Sequence, residues 1–425
     1  MMSTVIVTVV PNSAVRPADI AEAAQPCGLS PIFVSIADTL DEPERAEYES
    51  FGPVVQADKH ELTPAVVQLR DHRASGVTTF SEGMVPFTAH LAHDLGLPFH
   101  DRDTAVRLTD KGAQRRRLAE RGVESIWSVV VASRSEALAL LAGRPGPVVV
   151  KPVRGQSSTD VHLLETAADF PPDLTPTAER PFVMEEYLRG RDEGEFGDYV
   201  SVESFVADGR THTIGVTSKF PMVPPFREHG HFIPSHLSAA ECDDIARLAG
   251  DAALALGVRQ GLVHTEFKLT PEGPRIIEVN GRLGGFLADM YRRGTGVNLL
   301  EVGIRVACGQ PVALTESEAR SVEFQYFGLS PLPGGVFRDV SGIDTLLKEQ
   351  GIVSYLQRLA IGADLPPMTT SSFMDVLGGS ATDYEEMWET IDRGLSHLQF
   401  TFEQLDGTTS VWQAKRGAMV AVQQP

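Results

Sequence analysis

The stretch His264–Arg282, HTEFKLTPEGPRIIEVNGR, carries two carboxylates, an amide and a guanidinium at a spacing that could organise metal and phosphate chemistry. Val263, Thr265, Phe267 and Leu269 share one parity and His264, Glu266 and Lys268 the other, which is strand alternation. Pro and Gly within Thr270–Pro274 mark a turn, and Arg275–Asn280 resumes the alternation with Ile277 and Val279 opposed to Glu278 and Asn280. A loop centred near Glu272 sets Glu266 against Glu278 and His264 against Asn280. Directly opposed like charges repel across roughly 5 Å. Two readings follow: a solvated sheet face on which Lys268 and Arg282 offset the acids, or a pair of oxygen ligands for a hard divalent cation such as Mg²⁺.

Other segments offer cations and acids that could serve the same chemistry. VVVKPVRGQSS ends an apolar strand on Lys151, and an unpaired buried ammonium is costly. Lys151 is either a snorkelling edge lysine or a cation over a nucleotide phosphate, with Gly155–Thr159, including Ser157 and Ser158, as a flap. The spacing is not that of a Walker A loop. Lys111 sits one residue inside a helix start. VMEEYLRGRDEGEF offers Glu185, Glu186, Asp192 and Glu193, which read alone as an acidic strand end. FREHGHFIPSH concentrates His229, His231 and His236 as a polar loop with satisfied histidines, or as a weak zinc motif lacking the usual cysteine or carboxylate partners. Only seven of the 37 basic residues are lysines, so each is worth locating.

These residues need a scaffold. The first hundred residues alternate strand and helix: strands at 4–10, 32–36, 54–56 and 77–80, and helices near 17–25, 63–72 and 84–95. This predicts a small doubly wound parallel sheet. No GxGxxG follows the first strand, which argues against a dinucleotide site there. A helix capped by Thr109 or Asp110 comes next, then strand 125–131, helix 134–141, and strands 148–153 and 161–165. DFPPDLTPTAERP reads as a Pro-rich linker. A mixed segment follows to about Gly309, and the remainder is a β-containing tail with one amphipathic helix, YEEMWETIDRGLSHL.

A chain of 425 residues with 42% apolar and 22% charged residues is long enough for several packed domains. Its formal charge of −20 argues against a nucleic-acid or anionic-membrane partner. Cys27, Cys242 and Cys308 are too few and scattered for a disulfide framework. No run approaches the ~20 apolar residues of a membrane span, so a cytoplasmic protein is expected.

Taken in order, Lys111, VVVKPVRGQSS, FVMEEYLRG, SVESFV, GLVHTEFKL and IIEVNGRLGG resemble the motifs of the ATP-grasp superfamily of carboxylate–amine ligases, over most of the chain to about Gly309. FREHGHFIPSH and PLPGGVFRDVSG look like the subgroup of L-amino-acid (dipeptide) ligases and natural-product ligases, including those of antibiotic biosynthesis. The resemblance implies an α/β and α+β, ATP-grasp architecture: an N-terminal βα domain over 1–105, a lid over 106–182, a central mixed-sheet domain over 183–310 and a C-terminal subdomain over 311–425. It also implies ATP and two Mg²⁺ ions as cofactors. Lys111 and Lys151 would contact phosphates, Ser157 and Ser158 would form the flap, and Glu185, Glu186 and Leu188 would surround adenine at the hinge. Asp192 or Glu193 would meet the ribose. Glu266, Glu278 and Asn280 would hold the metal, Arg282 would face the reacting carboxylate, and His229, His231 and His264 are candidates for contacting substrate or accepting a proton from the amine. The Lys111–Glu165 segment would be the lid that closes on ATP, flexing at the Pro-rich linker.

Implied partners are amino-acid or peptide substrates, with a homodimer and an acyl-carrier protein as further ones. Transfer to an acyl carrier, a nucleotide-binding regulatory module and a histidine-bound zinc hydrolase stand as rival functions. Two features depart from the family pattern. Asp160 stands where the flap often ends in glycine, and the stretch from Gly190 to Ser201 is longer than usual.

Overall fold

The computed structural model describes residues 3–11, 13–144, 146–155, 158–224, 226–314, 321–331, 334–365, 373–404 and 406–422. Its first sheet is built from β1 (Ser3–Thr8), β2 (Leu29–Ile36), β3 (Val54–Ala57) and β4 (Ala74–Thr79), in the order β3-β2-β1-β4 and parallel throughout. Val5, Ile6 and Val7 on β1 and Ile32, Phe33 and Val34 on β2 are fully buried. Such unbroken apolar runs are what a parallel sheet covered on both faces requires. Helices Pro17–Ala24, Thr63–Arg70 and Val85–Leu95 lie where the sequence places them. The helix Glu42–Glu49 is an addition: EPERAEYE buries only Tyr48, so it shows no apolar period, although Asp41 and Glu44 form a capping box at its start.

The second sheet contains β5 (Ser128–Val131), β6 (Val148–Pro152), β7 (His162–Leu164) and β8 (Phe182–Glu186), in the order β5-β8-β6-β7 with antiparallel pairing. The Pro-rich segment is no free linker. Phe170 and Leu174 are buried with Phe182 and Met184 in this sheet's core, so the prolines lie in a strap packed against it rather than in a hinge.

The third sheet has eight strands: β9 (Tyr199–Ala207), β10 (Arg210–Lys219), β11 (Gly230–Ile233), β12 (Gly261–Thr270), β13 (Gly273–Asn280), β14 (Val322–Leu329), β16 (Ile352–Gln357) and β18 (Phe373–Ala381). They run in the order β13-β12-β9-β10-β11-β14-β18-β16. Helix Ala239–Leu256 covers one face through Ile245, Ala249, Ala252 and Ala253, and begins in a capping box of Ser238 and Glu241. A fourth sheet, in the order β17-β15-β19-β20-β21, comprises β15 (Gly335–Ser341), β17 (Asp364–Leu365), β19 (Gln399–Glu403), β20 (Thr409–Lys415) and β21 (Ala418–Val422). Helix Tyr384–His397 packs Met387, Trp388, Ile391 and Leu395 into the core beneath it, as its amphipathic pattern indicates.

Helices Leu287–Thr295 and Leu299–Ala307 join the first and third sheets into one core. The approach is close at Gly76 on β4, where an added Cβ would lie 2.2 Å from the Ala307 carbonyl oxygen. Among the described residues no helix is long and apolar enough to cross a membrane.

Candidate active site

The hairpin of β12 and β13 pairs Glu266 with Glu278 and His264 with Asn280, the register read from the sequence. It reaches that register by a different route. The turn is tighter than a loop centred on Glu272, since Thr270 pairs with Gly273. A bulge between Glu266 and Phe267 then leaves Ile277 as the extra residue of β13 and restores the alignment of the acids.

Helix Lys111–Glu120, capped by Asp110 accepting from Ala113 N at 2.8 Å, lies along the outer edge of β13. Gln114 completes the ladder with its side chain: Nε2 donates to Val279 O at 2.8 Å and Oε1 accepts from Val279 N at 2.9 Å. At the bulge, Arg115 donates to the carbonyl oxygens of Ile276 and Ile277, both at 2.7 Å. Its Nε also reaches Glu185 Oε1 on β8 at 2.8 Å, tying the second sheet to the third. Lys151, at the end of β6, meets the other oxygen of Glu185 at 2.8 Å. Burial pushes the Glu185 carboxyl up, but the charges of Arg115 and Lys151 overcome that and hold it at about 2. Lys151 is thus neither snorkelling nor unpaired; it is fixed at the cavity wall by a buried partner.

Glu278 and Glu266 each have a cation in direct contact, Lys111 and His264, while Arg282 acts on both through its charge alone. Lys111 Nζ lies 2.8 Å from Glu278 Oε1 and also donates to Gly155 O at 2.8 Å. His264 donates through Nε2 to Glu266 Oε1 at 3.1 Å and through Nδ1 to Glu203 Oε1 at 2.6 Å. Burial alone would lower the His264 pKa, but the buried Glu203 carboxylate, and after it Glu266, raise it to about 9. With both ring nitrogens donating, His264 bridges two carboxylates as a cation and has no free nitrogen for the proton of an attacking amine. Lys268 is turned to Asp198 at 2.6 Å. Arg282 reaches across to the first domain, Nη2 to Glu82 Oε2 at 2.8 Å, and donates to Leu283 O at 2.9 Å.

These groups line one cavity of about 690 Å³, within the range of small-molecule sites. Lys111, Lys151, Ser158, Glu185, Glu186, Leu188, His264, Glu266, Glu278, Asn280 and Arg282 all contribute to its wall. Four of the seven lysines do so, counting Lys219 and Lys268, which concentrates scarce ammonium groups in an acidic protein. Lys219, Arg115, Glu82 and Glu203 went unassigned in the sequence. Scarcity marked Lys219, and the SVESFV motif contained Glu203. Nothing local pointed to the other two.

Some expected residues lie elsewhere. Asp192 and Glu193 do not line the cavity: Asp192 accepts from Gly194 N at 2.9 Å, and Glu193 is held by Arg191 and by His236 Nε2 at 2.9 Å. Ser157 lies outside the described residues. Asp160 takes the glycine-like conformation at φ 54° and pairs its carboxylate with Arg180. The three clustered histidines have separate surroundings: His231 lines the cavity and bonds Gln325 at 3.0 Å, while His229 stacks on Phe220 and His236 bonds Ser218 Oγ at 2.7 Å, both outside it. They form no zinc site, and among the described residues no group of three or more His, Cys, Asp or Glu is placed to hold a metal.

Two carboxylates and an amide oxygen are a different donor set, the kind Mg²⁺ accepts when phosphates and water complete its shell. The Asn280 Oδ1 atom fits that role, being buried with no hydrogen-bond partner among the described residues. An orphaned buried acceptor is costly unless something satisfies it.

The sheets and cavity together define an ATP-grasp architecture, and comparison with known proteins agrees. Residues 144–289 match the family model described as an ATP-grasp domain, and residues 21–99 that of an ATP-grasp N-terminal domain. The chain belongs to the ATP-grasp superfamily. It is similar to alanine–anticapsin ligase of Bacillus subtilis (strain 168), 29% identical over 257 residues, which cover 55% of this chain and 54% of that protein. Carnosine synthase 1 of Gallus gallus is 31% identical over 193 residues, covering 41% of this chain and 20% of the relative. The chain therefore aligns with about half the length of the first and a fifth of the second. Among solved structures, an L-amino acid ligase from Bacillus licheniformis superposes with a TM-score of 0.78 at 22% identity, over 95% of this chain and 99% of the other. That likeness concerns the fold.

Proposed function

We propose that the chain is an ATP-dependent ligase that activates a carboxylate as an acyl phosphate and joins it to the amine of an amino acid or peptide, releasing ADP and phosphate. One observation carries the reading: the second sheet, the third sheet with the turn after β13, and helix Lys111–Glu120 bring Lys111, Lys151, Glu266, Glu278, Asn280 and Arg282 to the wall of a single cavity. The relatives named above, ligases and a synthase by name, support it.

In this reading Lys111 and Lys151 bind the phosphates of ATP, and Glu185, Glu186 and Leu188 line the nucleotide end. Glu266, Glu278 and Asn280 would hold Mg²⁺, which when bound neutralises charge on the β- and γ-phosphates. In the same reading a second Mg²⁺ would supply further charge neutralisation there.

A substrate carboxylate oxygen attacks the γ-phosphorus, and the bond to ADP breaks. The lysines spread the charge as it shifts toward ADP. The amine nitrogen then attacks the acyl carbon, and the phosphate departs with the electron pair of its C–O bond. Arg282, locked by Glu82, faces the oxyanion formed on that carbon. Because His264 lacks a free nitrogen, the amine proton leaves on the departing phosphate. Positioning and exclusion of water do most of the work.

The domain division at residues 105, 182 and 310 and the location of Ser157 in the flap belong to the same proposal. Whether an acyl-carrier thiol replaces the amine is decided by the same assay. Carboxylate substrates labelled with ¹⁸O should deliver one label to phosphate, and only when ATP and an amine are both present. Phosphate without label refutes acyl phosphate formation, and label transfer that requires a carrier thiol refutes the amine acceptor.

A further inference from the structure

Beyond the charged centre, the cavity wall turns aromatic. Phe286 lies four residues after Arg282 and opens helix Leu287–Thr295 from the left-handed region, at φ 62° and ψ 4°. A bulky residue there is strained, and two glycines immediately before it carry no such conformation. Strain of this kind persists where the surrounding structure fixes a side chain for use. The Phe286 ring meets Phe327 edge-on at 5.6 Å, and Phe327 meets Phe373 at 4.4 Å. All three rings line the cavity, Phe286 and Phe373 only partly buried by protein. Beside them a Cβ on Gly285 would meet nothing within 4 Å, so the rings border open space. Arg358 lies over the Phe286 ring at 5.3 Å and lines the same wall.

Partly exposed aromatic rings around a void lose area to water that a ligand of matching chemistry can recover. A cationic side chain would meet the Arg358 guanidinium, and an anionic one would give up its hydration among the three rings, a cost that pairing with one guanidinium does not recover. We propose that Phe286, Phe327 and Phe373, with Arg358, form the side-chain pocket for one amino-acid substrate, and that this pocket selects large apolar or aromatic side chains over small, acidic and basic ones. The inference rests on the ligase reading for its substrate class. The pocket sits next to Arg282 in the chain, which places the selected side chain beside the reacting centre of that reading.

The test uses the full chain with Mg²⁺ and ATP, assayed for ADP release and product mass with Phe, Leu, Met, Gly, Asp and Lys, each offered with a panel of amines. The wild-type kcat/KM for Phe, Leu or Met should exceed that for Gly, Asp and Lys by at least about 10-fold. Phe286→Gly suits the left-handed conformation, so its Tm should stay level or rise while the Phe-to-Gly ratio falls at least about 10-fold and the KM for ATP holds. Phe373→Ala gives a second variant on another strand, and the same loss of ratio is expected.

A wild-type preference for Gly, Asp or Lys overturns the pocket, as does a ratio unchanged in both variants. Absence of turnover with every pair instead overturns the ligase reading. The pocket is then judged by thermal shift with a non-hydrolysable ATP analogue, where stabilisation by Phe or Leu and not by Gly or Lys supports it, and no discrimination overturns it.

Discussion

Replacing Glu185 with Gln keeps the shape of the side chain but removes the carboxylate between Arg115 and Lys151. Its contacts are short, 2.8 Å to Arg115 Nε and 2.8 Å to Lys151 Nζ, and the side chain is 5% exposed. The carboxyl is held at about 2 against an ordinary 4.5. That difference corresponds to about 3 kcal/mol, which agrees with the roughly 3–5 kcal/mol lost when one partner of a buried ion pair is removed. Because the folded-state value is depressed, the stabilisation is complete above the unfolded value and drains away as pH falls through the acid range. At pH 3 the wild-type protein should already have given up about 2 kcal/mol of it. The variant should therefore be less stable by about 3 kcal/mol at pH 7 and by only about 1 kcal/mol at pH 3. Trp127 packs against the core containing Phe182 and Met184. Urea unfolding followed by its fluorescence, with Trp388 and Trp412 replaced by Phe, reads this sheet. An equal stability gap at the two pH values, or a gap below 1 kcal/mol at pH 7, would refute the reasoning.

Three further outcomes are expected. Lys151→Met should raise the KM for ATP at least about 10-fold, as measured by ADP release over a nucleotide titration; an unchanged KM counts against the phosphate role. Arg282→Lys, which loses the planar fork that reaches Glu82 and Leu283 together, should leave nucleotide binding within a factor of a few while cutting ligation by about 10²–10³. Normal product yield would remove Arg282 from the reacting centre. Glu203→Gln should lower the His264 pKa from about 9, because the neutral amide no longer stabilises the imidazolium. The stabilisation this cation gives is full below its ordinary value and fades as pH rises through about 9, so the variant should lose that alkaline dependence. Histidine NMR titration reads the shift directly, and an unmoved His264 resonance contradicts it.

Local patterns made some of the molecule legible and left other parts hidden. Alternation over residues 263–280 puts both acids on one face, and a loop centre taken at Glu272 sets Glu266 against Glu278, a pairing the structure reaches through a tighter turn and a bulge. The turn and bulge that produce this alignment leave no mark in composition. Helix Glu42–Glu49 was obscured by its charge, and Pro-rich 169–181 looked like a linker because proline masks the buried Phe170 and Leu174. Of the two sequence neighbours that could offset the acids, Arg282 acts on both by its charge and Lys268 is turned to Asp198, but neither is the contacting cation. The true partner of Glu278 is Lys111, and Arg115 and Gln114 reach β13 from 161 to 165 residues away. Glu82 reaches Arg282 across 200 residues. Contacts over such separations follow from how sheets pack, which single-strand periodicity does not encode.

The central claim is that Glu266, Glu278 and Asn280 form a divalent-cation site completed by nucleotide phosphates. Its most direct test is electron paramagnetic resonance of Mn²⁺ titrated into wild type and Glu278→Ala, each with and without a non-hydrolysable ATP analogue. The account predicts nucleotide-dependent Mn²⁺ binding in the wild type, weakened in the folded variant beyond the roughly 10–100-fold that losing an outer-shell partner brings. Equal Mn²⁺ affinity in the two proteins, or binding indifferent to nucleotide, would contradict it.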